Sequence, residues 1–258
     1  MANKGWTRPQ LLVAFGLYCQ MPFGKMHSRN PEIVKYAELI DRTPSALAMK
    51  LTNIASLDPA IISTGRKGLS GASSTDKKMW EEMQNDWESF ALESEYEMTK
   101  IGKSEDSAGT ADLSVKDEDN HTGYDKEVKT KVRIGQSFFR RSVLSAYNYK
   151  CCITGLSVPN LLVASHIVPW RSDSSNRLNP RNGLSLSMLH DRAFDLGIIT
   201  IKNDFTVKVS DFVNYENDYF YQSALKSYDN RPIALPEKFT PFQEFLAYHR
   251  DNIFKGGL

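Results

Sequence analysis

Two histidines and one asparagine in the C-terminal half of the chain are residue types that suit the hydrolysis of a phosphodiester. His166, Asn182 and His190 follow one another at spacings of 16 and 8 residues. An imidazole with an unperturbed pKa of about 6.5 can deprotonate water near neutral pH. The transition state and the leaving 3′-oxygen also need positive charge, which a hard divalent cation can supply. These three residues are therefore the candidate catalytic set.

Two strands and a short helix are predicted to hold this set. Residues 161–164 form an apolar run that predicts a buried strand, and residues 183–186 alternate like a second strand. Ser187 can cap a helix over residues 188–196, which Gly197 would end. A unit of this kind can place a histidine at a strand end opposite a ligand on the helix, with a divalent ion and a phosphate between them.

The asparagine is predicted to have a structural role within the site. Asn182 precedes the second strand, and its side chain is expected to tie the long loop to the strands by hydrogen bonds to backbone groups, which fixes His166. The expected metal is Mg²⁺, which keeps several waters and is often held by few protein ligands. Mn²⁺ is expected to be accepted as well, and no organic cofactor is expected.

The ordered run of motifs from Cys152 to Gly197 resembles the HNH (ββα-metal) endonucleases. The motifs are Cys152-Ile-Thr-Gly155, Ser165-His-Ile-Val-Pro-Trp170, Asn182-Gly-Leu-Ser-Leu186 and His190-Asp-Arg-Ala-Phe-Asp-Leu-Gly197. The resemblance extends over about residues 135–254 and is to a branch described as restriction endonucleases. It implies that His166 is the general base, Asn182 the structural asparagine and His190 the metal ligand.

One position departs from the pattern of many HNH enzymes. They carry Asp or Glu before the base as a second metal ligand, whereas this chain has Ser165. Either the metal has one strong protein ligand plus waters, or Asp191 or Asp195 helps indirectly. We favour the first, because helical spacing directs Asp195 away from the face of His190. The paired Cys-x-x-Cys motifs of zinc-binding relatives are missing from the sequence, so no structural zinc is expected.

The nearly neutral net charge does not exclude a polyanionic partner, and double-stranded DNA is the expected one. The net charge is only +1, but residues 128–181 hold nine Lys and Arg and a single acidic residue, Asp173. Local patches of this kind set the field that a ligand meets, although solvated helix faces are an equal alternative on charge alone. The candidate phosphate contacts beside the catalytic motif are Arg140, Arg141, Lys150, Arg171, Arg177 and Arg181.

The N-terminal part of the chain is predicted to be helical. Asn30-Pro31 and Thr43-Pro44 each combine an N-cap with a proline at the first helical position. Two short helices joined by a tight turn fit a helix-turn-helix, although a small bundle used for dimer contacts is the alternative. Apolar residues from Trp80 to Phe90 at helical spacing predict a further helix. The candidate DNA contacts at the turn and the second helix are Arg42, Thr43, Ser45 and Lys50.

The sequence thus predicts an α+β protein with a helical, helix-turn-helix-like N-terminal domain and a C-terminal ββα-metal (HNH) nuclease domain. The domains would be residues 1–98 and 128–258, joined by an acidic, flexible linker at 99–127. The N-terminus lacks a signal-peptide pattern, no apolar run is long enough to span a membrane, and three cysteines do not make a disulfide framework. A cytoplasmic location is therefore expected.

The resulting hypothesis is a DNA endonuclease that leaves 5′-phosphate and 3′-hydroxyl ends, and the resemblance implies restriction of invading DNA. A homodimer is expected, since cutting both strands with one site per chain is simplest with two copies. Removing residues 1–98 is expected to leave cleavage intact but less selective. The alternatives are a nonspecific or structure-selective nuclease, including a toxin, and a catalytically quiet DNA-binding regulator.

Overall fold

The computed structural model describes residues 5–63, 65, 71–102, 123–212 and 217–257, with the backbone alone over 123–130. The helices are α1 (Arg8–Gln20), α2 (Pro31–Leu39), α3 (Pro44–Ala55), α4 (Pro59–Ser63), α5 (Ser74–Asn85), α6 (Trp87–Gly102), α7 (Gly123–Ala146), α8 (Met188–Asp195), α9 (Tyr219–Ala224) and α10 (Gln243–Asn252). The strands are β1 (Leu162–His166), β2 (Gly183–Ser187), β3 (Ile199–Ile201) and β4 (Val207–Val209). The fold therefore combines helices with two small antiparallel sheets, as the α+β prediction requires.

The N-terminal helices begin at the predicted caps. The side chain of Asn30 accepts a hydrogen bond from the Glu32 amide at the start of α2, and Thr43 caps α3 through the Ala46 amide. In each case a proline follows at the first helical position, where its missing N–H costs nothing. The helical character of this region is confirmed, whereas its identity as a helix-turn-helix stays a prediction.

One helix prediction was wrong in its boundaries. The apolar residues 80–90 belong to two helices, because α5 ends at Asn85. The carboxylate of the next residue, Asp86, accepts a hydrogen bond from the Ser89 amide in the first turn of α6. Helix α7 begins at Gly123 and contains Gly135. A Cβ at Gly135 would stand 2.9 Å from the Leu178 side chain, so this glycine allows a close approach of the loop.

The two predicted domains share one hydrophobic core. Helix α1 packs against both α6 and α7. The ring of Phe239, from the C-terminal part, meets Tyr18 at 5.8 Å and Trp87 at 5.5 Å, both edge to face. The predicted linker is helical at both described ends, since α6 continues to Gly102 and α7 starts at Gly123; its residues 103–122 lie outside the described residues.

A buried lysine joins the same two parts of the chain. Lys238 is completely buried, and its ammonium group donates hydrogen bonds to the carbonyls of Tyr18, Cys19 (3.0 Å) and Met21 (2.7 Å) at the end of α1. These bonds satisfy carbonyls that a helix end leaves without partners. Burial lowers the pKa of Lys238 to about 8.

The strands and helix that hold the candidate site follow the predicted pattern. Strands β1 and β2 are antiparallel, with His166 opposite Gly183 and Leu162 opposite Ser187. Ser187 caps α8, and Gly197 follows its end with a positive φ of 70°. Helix α8 packs on both strands, and α10 packs on the β3–β4 hairpin. Within the described ranges, none of the helices is both long and apolar enough to cross a bilayer.

Candidate active-site cleft

A cleft of about 460 Å³ opens where strand β1 ends against helices α8 and α10. Its polar lining consists of Ser165 and His166 from β1, Asp191 and Asp195 from α8, and His249 from α10. The histidine at the end of β1 therefore lies in the cleft. The side chains that α8 presents to it are carboxylates.

The imidazole of His166 is held in one orientation. Its ring stacks on Phe139 at 3.9 Å and meets Trp170 edge to face at 5.4 Å. Its Nε2 lies 2.8 Å from the carbonyl oxygen of Arg177. A carbonyl can only accept a hydrogen bond, so Nε2 carries the proton and Nδ1 keeps its lone pair. Burial lowers the pKa of His166 below its usual 6.5, against the effect of the Arg177 carbonyl, so the ring is neutral at pH 7.

The hydrogen bonds predicted for Asn182 are present. Its buried side chain accepts a bond from the Val168 amide at 2.8 Å and donates to the Val168 carbonyl at 3.1 Å. Its backbone carbonyl also accepts a bond from the Ile167 amide at 3.0 Å. Asn182 therefore fixes the two residues that follow His166 and, through them, the end of β1.

His190 lies away from this cleft, and its predicted place opposite His166 was wrong. The side chain is buried, with Nδ1 2.8 Å from the Ser187 hydroxyl and the ring edge to face with Tyr228 at 5.5 Å. Burial lowers the pKa of His190, opposed by the Ala224 carbonyl. His190 thus stabilises the N-terminal turn of α8 and packs this helix against the segment that follows α9.

Asp191 and Asp195 occupy the place predicted for His190. They stand four residues apart, which puts them on one face of α8, and both line the cleft beside Ser165. Burial raises the pKa of each carboxyl; the charge of Asp191 adds to the increase at Asp195, and the neighbouring Ser165 hydroxyl opposes the increase at Asp191. Two partly desolvated, mutually repelling carboxylates are the donors that Mg²⁺ prefers, so the residues present fit a divalent cation.

The cleft offers few side chains that could bind a metal ion. Among the residues that the structure describes, no group of three or more His, Cys, Asp or Glu side chains is placed to share a metal ion. Any cation here would rely on Asp191 and Asp195 together with water and substrate oxygens, a coordination that suits Mg²⁺.

His249 lines the cleft, although the sequence assigned it no role. Its ring stacks on Phe194 of α8 at 3.5 Å. Nε2 lies 3.1 Å from the Phe194 carbonyl, and Nδ1 lies 2.9 Å from the Thr200 hydroxyl. Burial lowers its pKa to about 4, so the ring is neutral and joins α10 to both α8 and β3.

The predicted phosphate contacts that flank the catalytic motif in sequence differ in their exposure to solvent. Arg171 and Lys150 are exposed, and the guanidinium of Arg177 lies 5.2 Å from the centre of the Trp170 ring. Arg140 donates to the Leu162 carbonyl at 2.9 Å, and Arg141 pairs with Glu95 at 2.6 Å while remaining exposed.

The prediction that Arg181 contacts a phosphate was wrong. Its side chain is buried and lies 3.6 Å from the carboxylate of Asp58. A guanidinium enclosed in this way cannot reach a phosphate without breaking a buried ion pair, which is costly. Arg181 is therefore a structural residue of the core.

The predicted DNA contacts of the N-terminal helices likewise include both exposed and buried residues. Thr43 and Ser45 are exposed at the start of α3, and Arg42 lies over the Trp6 ring while donating to Gln10 at 2.9 Å. Lys50 is only 6% exposed and pairs with the buried Asp76 at 2.7 Å. The prediction that Lys50 contacts DNA was therefore wrong, because it faces the interior of the helical region.

Comparison with protein families identifies the unit that forms the cleft. Residues 151–202 match the family described as HNH endonuclease, and this segment contains β1, β2 and α8. The C-terminal region therefore contains an HNH endonuclease domain, which supports nuclease, and thus hydrolase, activity. Nucleases of this family generally use a divalent metal and have DNA as substrate. A comparison with curated proteins finds no match.

Proposed function

We propose that this protein is a metal-dependent DNA endonuclease of the restriction type, with its active site in the cleft between β1 and α8. The observation that carries the proposal is the arrangement in this cleft. A neutral His166, whose Nε2 is tied to a carbonyl, shares it with the carboxylates of Asp191 and Asp195. Base and carboxylates face one space of about 460 Å³, enough to admit a phosphate group.

In the proposed reaction, Nδ1 of His166 accepts a proton from the attacking water. The water oxygen forms a bond to phosphorus, and the bond from phosphorus to the 3′-oxygen breaks, which leaves 5′-phosphate and 3′-hydroxyl ends once the 3′-oxygen takes a proton. Asn182 keeps the base in place through Val168. Such a positioned base contributes about a hundredfold to ten-thousandfold in rate.

Asp191 and Asp195 would hold the divalent cation, Mg²⁺ or Mn²⁺. When bound, the cation supplies positive charge for the transition state and the leaving 3′-oxygen. This assignment replaces His190 as the proposed ligand. The carboxylates themselves repel DNA, so the exposed cations Lys150, Arg171 and Arg141 are the proposed phosphate contacts around the cleft, with Arg177 and Arg140.

The restriction role requires selective DNA reading and cleavage of both strands. We propose that the start of α3, with exposed Thr43 and Ser45 and the adjacent Arg42, supplies contacts to DNA. One cleft per chain serves one strand, so a homodimer would cut both. The exposure of Thr43 and Ser45 at the capped start of α3 supports this reading.

The experiment is incubation of supercoiled plasmid and phage DNA with the full-length protein in Mg²⁺, in Mn²⁺ and in EDTA, followed by sequencing of the ends. We expect metal-dependent linear products with 5′-phosphates at recurring positions, on DNA of suitable modification. Scattered ends would favour a nonspecific nuclease instead. DNA binding without strand breakage in either metal would contradict the proposed activity and favour a DNA-binding regulator that lacks catalytic activity.

A further inference from the structure

We propose that Asp58, in the helical N-terminal region, is a positioning residue for the active site and acts through Arg181 on the turn that carries Asn182. The inference rests on the proposed nuclease function. It means that the N-terminal helices are part of the catalytic unit as well as a candidate reader of DNA.

The Asp58 carboxylate is completely buried and its contacts are specific. It lies 3.6 Å from the Arg181 guanidinium and accepts a hydrogen bond from the Tyr18 hydroxyl at 2.8 Å. It also accepts a bond from the Ala60 amide at 3.0 Å, which caps the short α4. These contacts hold the carboxylate between α1, α4 and the C-terminal part of the chain.

Arg181 is enclosed on its other sides. Its guanidinium lies 5.0 Å from the centre of the Phe242 ring and 5.9 Å from that of Phe239, and it donates to the Thr240 carbonyl at 3.3 Å. Burial lowers the pKa of Arg181, and the charge of Asp58 opposes that decrease. Asp58 is the ion-pair partner that the structure shows for this buried charge, and a buried charge that loses its partner is strongly destabilised.

The backbone carries the effect from Arg181 to the base. Arg181 is the middle residue of the 3-10 turn Pro180–Asn182, and its amide is held by the Asn179 side chain at 3.0 Å. Asn182 comes next and clamps Val168, two residues after His166. A shift of Arg181 toward solvent would therefore displace Asn182 and loosen the base, and a misplacement of about 1 Å can cost about a hundredfold in rate.

A second buried ion pair provides a matched control. Lys50 and Asp76 are as buried as Arg181 and Asp58, with side-chain exposures of 7% and 0% in both pairs. The Lys50–Asp76 pair joins α3 to α5 within the helical region and does not line the cleft. Its disruption therefore reports the general cost of breaking a buried pair.

The experiment compares Asp58→Asn with Asp76→Asn in the full-length protein. Single-turnover cleavage at saturating DNA, DNA affinity and urea unfolding are measured where each variant is fully folded. We expect Asp58→Asn to slow cleavage by about ten- to a hundredfold with unchanged DNA affinity. We expect Asp76→Asn to lose comparable stability but to keep the wild-type rate, and Asp58→Glu to recover part of the rate.

A second readout does not depend on cleavage. The ring signals of ¹³C-labelled histidine are followed as a function of pH, and the His166 signal is assigned with His166→Gln. We expect the pKa of His166 to change in Asp58→Asn and to keep its wild-type value in Asp76→Asn. This result would support the positioning role even if wild-type protein did not cleave DNA, in which case only the proposed function would fail.

The proposal is overturned if the His166 titration in Asp58→Asn matches that of wild type, or if both Asn variants slow cleavage equally. If Asp58→Asn does not fold, Arg181→Lys takes its place, because it keeps the charge but loses the planar fork. The same shift of the His166 signal is then expected, and its absence would count against the proposal.

Discussion

The chemistry proposed for single residues depends on which ring nitrogen and which face of a helix meet the cleft. The Arg177 carbonyl assigns the proton of His166 to Nε2, so that Nδ1 is the base. On α8, a step of one residue rotates the side chain by about 100°, which separates His190 from Asp191. His190 therefore packs inside, whereas Asp191 lines the cleft.

The pH dependence of cleavage should follow the lowered pKa of His166. The base acts when it is unprotonated, so the rate should rise with pH through an apparent pKa below 6.5 and level off near neutrality. Single-turnover rates at saturating metal, from acidic to neutral pH, provide the measurement. An apparent pKa well above the ordinary histidine value would contradict the buried, neutral ring.

Cation binding should depend on Asp191 more than on His190. Asp191→Asn removes a carboxylate that lines the cleft, and we expect Mn²⁺ affinity to fall by at least about tenfold. His190→Gln keeps hydrogen-bonding capacity at a position outside the cleft and should leave Mn²⁺ affinity near the wild-type value. Titration followed by electron paramagnetic resonance measures both, and a larger loss in His190→Gln would restore the histidine as ligand.

At the scale of elements, the sequence predicts the strands and caps around the site well but not how α8 is rotated. Caps such as Ser187 and the end at Gly197 are local features and were confirmed. Buried His190, Ala193 and Phe194 stand at positions i, i+3 and i+4, the spacing of a core-facing stripe. That spacing indicates that His190 faces the core, but a histidine at such a position is equally compatible with a role as a metal ligand.

The attachment of α8 to α10 through His249 should be sensitive to acid. The folded pKa of about 4 lies below the usual 6.5, so the unfolded chain takes up the proton first and stability is lost as pH falls through this window. The loss should reach roughly 3 kcal/mol in wild type. Urea unfolding of wild type and His249→Gln at acidic and neutral pH measures it.

The glutamine variant keeps hydrogen-bonding groups but cannot titrate, so its own decrease over the same window should be smaller. Exposed His27→Gln serves as the control for loss of a histidine. Equal acid sensitivity of His249→Gln and wild type would show that His249 does not stay neutral in the folded protein.

At the scale of the whole molecule, the N-terminal helices and the C-terminal region pack together more extensively than the composition of the chain predicts. The acidic stretch at 99–127 is typical of a linker, yet Phe239 and Lys238 contact α1 more than 200 residues earlier in the chain. Contacts at such separation leave no local pattern, because they depend on how α1, α6 and α7 pack. The helical class of the N-terminal region was predictable, and its shared core with the nuclease region was not.

Removing residues 1–98 should therefore unfold the nuclease region rather than free it. The deletion takes away Tyr18 and Trp87, which pack on Phe239. It also removes the three backbone carbonyls that bind the Lys238 ammonium group and the Asp58 carboxylate that pairs with Arg181, so two buried charges lose most of their stabilising contacts. This replaces the expectation of intact but less selective cleavage. Circular dichroism and thermal unfolding of the truncated chain measure the effect, and a soluble fragment with a cooperative transition would contradict it.

The most direct measurement is single-turnover cleavage of an end-labelled DNA duplex by wild type and His166→Ala, with DNA affinity determined on the same preparations. We expect His166→Ala to bind DNA as wild type does and to cleave it at least about a hundredfold more slowly in saturating Mg²⁺. Cleavage at the wild-type rate by His166→Ala would show that the reaction takes place without this imidazole and would contradict the proposed active site.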